Sequence, residues 1–506
     1  MTPLPPVARI RPEELLALTL DTGSFLSWDQ PLPPLAIEEG YGEELAAARL
    51  KSGHDESIIT GEGRIKGQRV AVVLGEFAFL GGSIGVNAAT RITEAIHRAT
   101  QQGLPLLASP VSGGTRMQEG TAAFVQMARI TAAVNAHKHA HLPYLVYLRH
   151  PTTGGVFASW GSLGHITAAQ PQAMIGFLGP KVYKAISGED FPAGIQQAEN
   201  LHRHGVVDAV IDPRHLRSFI IRILNVVYSA FSVITHDLPA SDVEDTGDTD
   251  AWSSVTLSRL PQRPGLRKFL SQTAVDVIPI GGSAGDPGGT VSLALARLGN
   301  QGAVVVGLDR EAADDGARFG PAELREARRG MNLAAGLGLP LLTVIDTPGA
   351  DLSKEAEEGG LSREIAFTLA RLLELPVPTV TLLLGQGAGG GALALFPADR
   401  IIALSSSWLA PLLPEGASAI MHEDTQHAAL MARRQRVGAA AMLLDGLVDE
   451  VVAEPSGTEG HKPDFCGRAA SAVARHLGEL ATRDPDVLVR ERSRRYSTGA
   501  ALYHAH

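Results

Sequence analysis

The sequence predicts an α/β fold built twice in one chain. Two observations carry this expectation. Strand-like apolar runs alternate with segments of helical period along nearly the whole length. The same short strings also recur at a fixed interval. Pro143 to Gly155 (PYLVYLRHPTTGG) is answered by Pro378 to Gly391 (PTVTLLLGQGAGGG), 235 residues on. The same interval of 235 joins Leu104-Pro105-Leu106-Leu107 to Leu339-Pro340-Leu341-Leu342, and Gly85 to Gly320. Gly205-Val206-Val207-Asp208 and Gly446-Leu447-Val448-Asp449 repeat at 241. Chance matches do not keep one spacing over about 120 residues, even in an Ala/Leu/Gly-rich chain.

Composition narrows the function. A chain of 506 residues is too long for one core. Its net charge of −10 argues against a nucleic-acid binder, which carries a basic stripe. Cys466 is the one cysteine, so neither an internal disulfide nor a multi-cysteine zinc ribbon can form, and no metal site is expected. Arg, Pro and Glu interrupt the N-terminus, so no signal peptide is expected. With no apolar span of about 20 residues, a soluble cytoplasmic protein follows.

In chain order, residues 1–56 read as an acidic, Pro-rich N-terminal arm, with a helix starting near Pro12 and an exposed stretch around Ser24–Trp28. A first domain is placed at 57–235. Arg69–Leu74 is a strand by its β-branched content. Phe79–Val86 is a glycine loop, 88–103 a helix and Leu104–Ser109 a buried strand. Val111–Thr115 is the turn that ends it, and Met117–His139 a long helix. After the repeated stretch come a strand at Ala173–Phe177 and a strand–helix unit from Val206, with 213–235 helical. Residues 236–262 form the linker, acidic over Asp237–Asp250. A second domain, 263–506, follows the same order: a helix near Arg263–Leu270, the loop Gly281–Gly285, strands at Ala303–Asp309, Leu341–Asp346 and Arg400–Leu404, helices at 321–338 and 359–373.

The repeated stretch carries the chemistry. A strand that stops at paired glycines and restarts as a helix leaves backbone N–H groups without internal partners, and these can hold a negative oxygen. Ser112-Gly113-Gly114-Thr115-Arg116 is a second such loop from the adjacent strand, and the two together would form an oxyanion hole. Other motifs are weaker. Gly385-Gln386-Gly387-Ala388-Gly389-Gly390 matches a dinucleotide fingerprint, but no acidic residue stands about 20 positions on, where Ser405–Trp408 lies. Gly81–Gly85 and Gly281–Gly285 both match the serine-hydrolase elbow, without an informative Asp or His downstream. His137, His139 and His141 would point to different helix faces and read as a solvated helix end. Arg325, Arg328 and Arg329 are either a solvated face or a phosphate site.

At these residues the chain resembles the carboxyltransferase component of acetyl-CoA carboxylase. Residues 20–235 resemble its β subunit through Phe79-Leu-Gly-Gly-Ser-Ile-Gly85, Ser112-Gly-Gly-Thr-Arg-Met-Gln-Glu119, Pro151-Thr-Thr-Gly-Gly-Val156 and Ile175-Gly-Phe-Leu-Gly-Pro180. Residues 320–455 resemble its α subunit through Arg325-Glu-Ala-Arg-Arg329, Asp346-Thr-Pro-Gly-Ala350, Gly387–Leu393 and Pro414-Glu-Gly-Ala-Ser418. The resemblance implies two tandem crotonase-like (ClpP/crotonase) domains, with β and α fused. It departs from the family in lacking the cysteine ribbon, in having Gln386 where the family has Glu, and in the Asp351-Leu-Ser-Lys354 loop. The implied activity is carboxyl transfer from N-carboxybiotin, on a carrier protein, to acetyl-CoA, giving malonyl-CoA for fatty-acid synthesis. Propionyl-CoA or another acyl-CoA carboxyltransferase, or a malonyl-type decarboxylase, is the alternative. Gly154 and Gly155 would hold one oxyanion, Gly390 and Gly391 the other. Gly113, Gly114, Gly349 and Ala350 would line the substrate site, while Arg116, Lys181, Arg325, Arg328 and Arg329 would meet CoA phosphates. A biotin carboxyl carrier protein and a biotin carboxylase would be partners, as the chain has no biotin-accepting Met-Lys motif. The resemblance also implies a homo-oligomer, dimer or higher, with the site between the β-like half of one chain and the α-like half of another.

Overall fold

The computed structural model describes residues 7–33, 39–229, 250–282, 289–308, 310, 319–454 and 465–497. The chain forms two compact units that divide between Arg222 and Ile223.

In the first unit a seven-stranded sheet runs Leu26–Ser27, Ile58–Ile65, Gln68–Gly75, Leu106–Ser109, Tyr144–Leu148, Ile166–Ala169 and Ala209–Val210. The first three strands are antiparallel and the rest parallel. The first two parallel connections pass through the helices Val86–Gln101 and Gly120–His139. Arg69–Leu74 was expected as a strand, and Val70 to Leu74 are buried throughout, as a strand covered on both faces requires. Ile92 and Ile96 on one helix and Ile130 and Val134 on the other, each pair four residues apart, pack on Val73, Leu106 and Val146.

The second unit repeats the plan. Its main sheet runs Ala274–Ile280, Val291–Leu298, Gln301–Leu308, Leu341–Thr347, Thr379–Ala388, Arg400–Leu404 and Glu450–Val452, again antiparallel first and parallel after. Trp408–Ala410 pairs with the far end of Thr379–Ala388. The register repeats as well. Leu106 pairs with Tyr144 in one sheet and Leu341 with Thr379 in the other, which is the 235-residue interval at each partner.

Several expectations change. The stretch at Ser24–Trp28 is not a free arm: Leu26 and Ser27 are exposed as expected but add an edge strand to Ile58–Ile65, and Trp28 is buried with the Arg98 guanidinium 4.4 Å from its ring. The antiparallel strands Ile58–Ile65, Ala274–Ile280 and Val291–Leu298 were not anticipated, because glycines and charges (Gly61, Gly63, Asp276, Arg297) interrupt their apolar runs. His137 is no solvated helix end. It is wholly buried, its ring meets Thr100 Oγ1 at 2.9 Å, and burial pulls its pKa down to about 4. Within the expected linker, residues 236–249 lie outside the described ones, while Ala251–Ser258 is a helix with Val255 and Ser258 buried.

The helix Pro485–Ser497 is held to the second unit by Leu488 in the core, by Arg495 on Asp449 and, most extensively, by Arg492. Arg492 is buried, donates to both Asp399 carboxylate oxygens at 3.0 and 2.7 Å, and reaches the carbonyls of Leu372, Leu375 and Val377. Removing one member of such a pair strands the other charge in the core. Arg492→Ala should therefore lower the unfolding free energy by about 3–5 kcal/mol in urea denaturation, with Asp399 left unpaired.

Candidate functional site

Each unit places two loops side by side at the C-terminal ends of its parallel strands. In the first unit these are Ser112–Arg116, after the strand Leu106–Ser109, and Thr152–Val156, after Tyr144–Leu148. They touch closely: a Cβ built on Gly154 would lie 3.1 Å from Gly114 Cα, and one on Gly155 would lie 3.1 Å from Thr115 Oγ1. In the second unit the pair is Thr347–Asp351 and Gly387–Gly391, where a Cβ on Gly349 would lie 3.9 Å from Ala388.

The loops of the two units share their backbone residue for residue. Gly114 has φ 121° and Gly349 φ 129°, and Gly154 has φ 68° against 71° for Gly389. Both matched pairs lie 235 positions apart, and both need a conformation that side-chain-bearing residues rarely adopt. Ser112 Oγ accepts the Gly114 amide at 2.9 Å, as Thr347 Oγ1 accepts that of Gly349 at 3.1 Å. The Arg116 amide donates to Ile84 O at 3.0 Å, as that of Asp351 donates to Phe319 O at 2.8 Å.

This bonding selects among the expected donors. Gly113 gives its amide to Gly81 O at 2.8 Å and Gly154 gives its own to Phe177 O at 2.9 Å. Gly154 is thus corrected as a donor, and Gly113, Gly114 and Gly349, expected to line the substrate site, have no N–H to offer there: all four amides are spent within the fold. Among the described residues the amides of Thr115, Gly155, Ala350 and Gly390 have no acceptor. All four residues are half-buried, open to solvent on one side. Gly155 follows the positive-φ glycine by one position, and so does Gly390, which fixes the register of the second pair at Gly389-Gly390. Gly391 falls one place too late: it is buried, and a Cβ there would lie 2.5 Å from the Phe319 ring. Thr115 was missed by the sequence reading, though its place directly after Gly113-Gly114 was a usable signal.

The expected phosphate contacts fare differently. Arg116 is wholly buried and bound to Glu56, Glu119 and Ser83, so it cannot reach a phosphate. Arg328 is tied to Glu364 and to Thr368 Oγ1 at 3.0 Å, and Arg329 donates to the carbonyls of Gly281 (2.7 Å) and Gly282 (2.5 Å). Both serve intramolecular ties. Arg325 is partly exposed and lies 3.9 Å from Glu364. Lys181 is in the helix Pro180–Ser187, but its side chain lies outside the described residues, as do Ser283 to Gly285 of the second elbow motif.

In the second unit Asp346 organises the strand end ahead of the loop. Its Oδ1 accepts the Gln386 amide at 2.9 Å and an Arg310 N–H at 2.8 Å, and there is no room for a Cβ at Gly385. Burial raises the Asp346 pKa, and Arg310 opposes that shift. Gln386, the departure from the family's Glu, accepts an Arg259 N–H at 3.4 Å, and Arg259 in turn pairs with Glu415.

The first unit also contains a cleft of about 810 Å³, walled by Arg9, His150, Met174, Pro180 and Phe191. That volume suits a small organic ligand. Its wall adjoins the donor loop, since Met174 O accepts the Thr152 amide at 2.9 Å. One group could in principle hold a cation, Glu13, His54 and Glu76, but His54 Nε2 and Glu13 already bond each other at 2.7 Å. Among the described residues no helix is long and apolar enough to cross a membrane.

Residues 9–455 match the family model described as the carboxyl transferase domain. A protein of Mycobacterium tuberculosis named probable biotin-dependent acyl-coenzyme A carboxylase beta3 subunit is 52% identical over 475 residues, 94% of this chain and 95% of its own. The acetyl-coenzyme A carboxylase carboxyl transferase subunits beta/alpha of Salinispora tropica are 36% identical, over 95% of this chain and 89% of theirs. Among solved structures, the transcarboxylase 12S hexamer with methylmalonyl-coenzyme A and methylmalonic acid bound superposes with TM-score 0.75 at 21% identity, covering 94% of this chain and 90% of its own. The fold is the one expected, with crotonase-like domains in tandem.

Gly114→Ala and Gly349→Ala test the loop backbone, since neither Cβ would meet an atom closer than 3.8 Å. The cost there is one of φ, about 1–3 kcal/mol, and calorimetry should show both variants melting earlier. Gly179→Ala, at ordinary φ in open space, should change stability by no more than about 0.5 kcal/mol.

Proposed function

The chain belongs to the carboxyl transferase family, and we propose that it moves a carboxyl group from N-carboxybiotin, held on a separate carrier protein, to acetyl-CoA in the cytoplasm, giving malonyl-CoA for fatty-acid synthesis. The observation that supports this most directly is the pair of unmet amides in each unit, Thr115 with Gly155 and Ala350 with Gly390. Biotin supplies the carboxyl group and a ureido nitrogen able to take up the α-proton. The chain's own contribution is to neutralise charge on oxygen. Carboxyl transfer puts negative charge first on one oxygen and then on another, the ureido oxygen and the thioester oxygen. Two neutral N–H pairs suit two such oxygens, because donors fixed by the fold need no reorganisation as charge builds. We assign Gly155 and Thr115 to one oxygen and Gly390 and Ala350 to the other. Arg325 and Lys181 remain the candidates for the CoA phosphates. A carrier protein, a biotin carboxylase and further copies of this chain are the proposed partners.

Acetyl-CoA is chosen as acceptor because the Salinispora relative, matched along nearly all of this chain, is named an acetyl-CoA carboxylase subunit. Propionyl-CoA or another acyl-CoA is the second reading, favoured by the more similar relative, which is named for acyl-CoA in general.

The central assay incubates the protein with malonyl-CoA and free biotin and follows acetyl-CoA release. Dependence on biotin is expected. Release that proceeds equally without biotin would make the protein a malonyl-type decarboxylase. Gly155→Pro and Gly390→Pro each delete one N–H, and each should lower turnover about 10²–10³-fold with the protein still folded by circular dichroism. Full turnover in both would remove the amide assignment.

A further inference from the structure

Thr115, a proposed donor, is followed by the most heavily bonded side chain of the first unit. Arg116 has no exposed surface. It pairs with Glu56 through both terminal nitrogens, meets Glu119 Oε1 at 3.3 Å, and donates to Ser83 O at 2.8 Å, Ser57 Oγ at 3.2 Å and Ser83 Oγ at 3.3 Å. Its guanidinium lies 5.3 Å from the centre of the Phe79 ring. Glu119 passes the connection on: Oε2 accepts the Val86 amide at 2.5 Å, at the start of the helix Val86–Gln101. Its Oε1 accepts the Tyr41 hydroxyl, also at 2.5 Å, and Tyr41 comes from the helix Glu39–Ser52 in the segment the sequence presented as an arm.

A buried cluster of one arginine and two carboxylates is a poor source of stability, since desolvation offsets most of the attraction. Its effect is on geometry. The planar guanidinium fork accepts partners only in fixed directions. Arg116 therefore ties the end of the donor loop to Ser83 and Glu56 from different segments. The Thr115 amide sits between Gly114, whose amide is held by Ser112 Oγ, and Arg116, whose amide is held by Ile84 O. At the matching place of the second unit, 235 positions on, the residue is an acid and not an arginine. Asp351 stands there, and its carboxylate caps Ser353 locally.

We propose that Arg116, with Glu56, Glu119 and Tyr41, is a positioning unit that aims the Thr115 amide, which makes the helix Glu39–Ser52 part of the support of the first donor site. The inference rests on the carboxyltransferase reading for its kinetic consequence, and on geometry alone for its structural one. A donor that acts on developing charge affects kcat and leaves ground-state binding alone.

The test uses Tyr41→Phe, which removes a single hydroxyl and keeps the ring, and Arg116→Lys, which keeps the charge and loses the fork. Ile166→Val, a buried change on a distant strand, serves as a control for general destabilisation. The expected result is a kcat about tenfold lower for Tyr41→Phe and about 100-fold lower for Arg116→Lys, with KM for the acyl-CoA within about twofold of wild type. Ile166→Val should retain its kcat. Amide hydrogen exchange over 112–116 should speed up in both test variants while 144–148 stays protected. Unchanged kcat, a loss confined to KM, or a loss shared by Ile166→Val would overturn the proposal, as would unchanged exchange over 112–116. Wild-type protein with no biotin-dependent transfer would defeat the functional reading instead, and the exchange data would still decide the positioning role. Should Arg116→Lys not fold, Tyr41→Phe carries both measurements.

Discussion

A buried strand that turns into a helix cannot keep all its amides bonded, and both proposed donor sites of this protein depend on that constraint. Folded chains ordinarily satisfy nearly every buried N–H. Here Thr115 and Ala350 have bonded amides on both sides, Gly114 and Arg116 in one unit and Gly349 and Asp351 in the other, and Gly154 ahead of Gly155 is held by Phe177. The shortfall is therefore local, and the four residues concerned are half-buried. A positive-φ glycine just ahead of the donor makes the turn possible, at Gly154 and again at Gly389.

The two units keep this backbone solution and differ in what supports it. In the first, a buried arginine one residue past the donor gathers two carboxylates and a tyrosine. In the second, Asp346 lies ahead of the turn, on the strand, where it holds Arg310 and the Gln386 amide. Backbone donors impose strict demands on φ and ψ and few on side chains, so the glycines of the two halves coincide while the supporting charges moved. The same logic accounts for Arg328 and Arg329. Their string resembles a phosphate-binding cluster, yet each is used to tie one segment to another within the unit.

Much of the fold was legible beforehand. Most central strands and their connecting helices carry β-branched runs or three-and-four spacing and lie within a few residues of where the sequence places them. The parallel strand Ile166–Ala169 was not anticipated, however, and of the strand expected at Ala173–Phe177 only Ile175–Gly176 forms, outside the main sheet. Arg400–Leu404 coincides throughout. The antiparallel strands were not legible, because Gly61 and Gly63 on one and Asp276 on another break the pattern that marks a buried strand. Trp28 and His137 were misread for a related reason. Short-range context shows polar neighbours around both, whereas burial comes from elements elsewhere in the unit.

Residue order alone shows that the chain is duplicated and marks the places where strands end in glycines, because spacing and glycine content are local properties. It does not settle which amides stay open. A donor's status depends on an acceptor that can come from any distance: Gly154 is spent on a carbonyl in another loop, and Arg116 is spent on a carboxylate 60 positions earlier. Those partners meet only when the sheet has assembled, and so Thr115 and Gly390 emerge from the folded unit and not from the string.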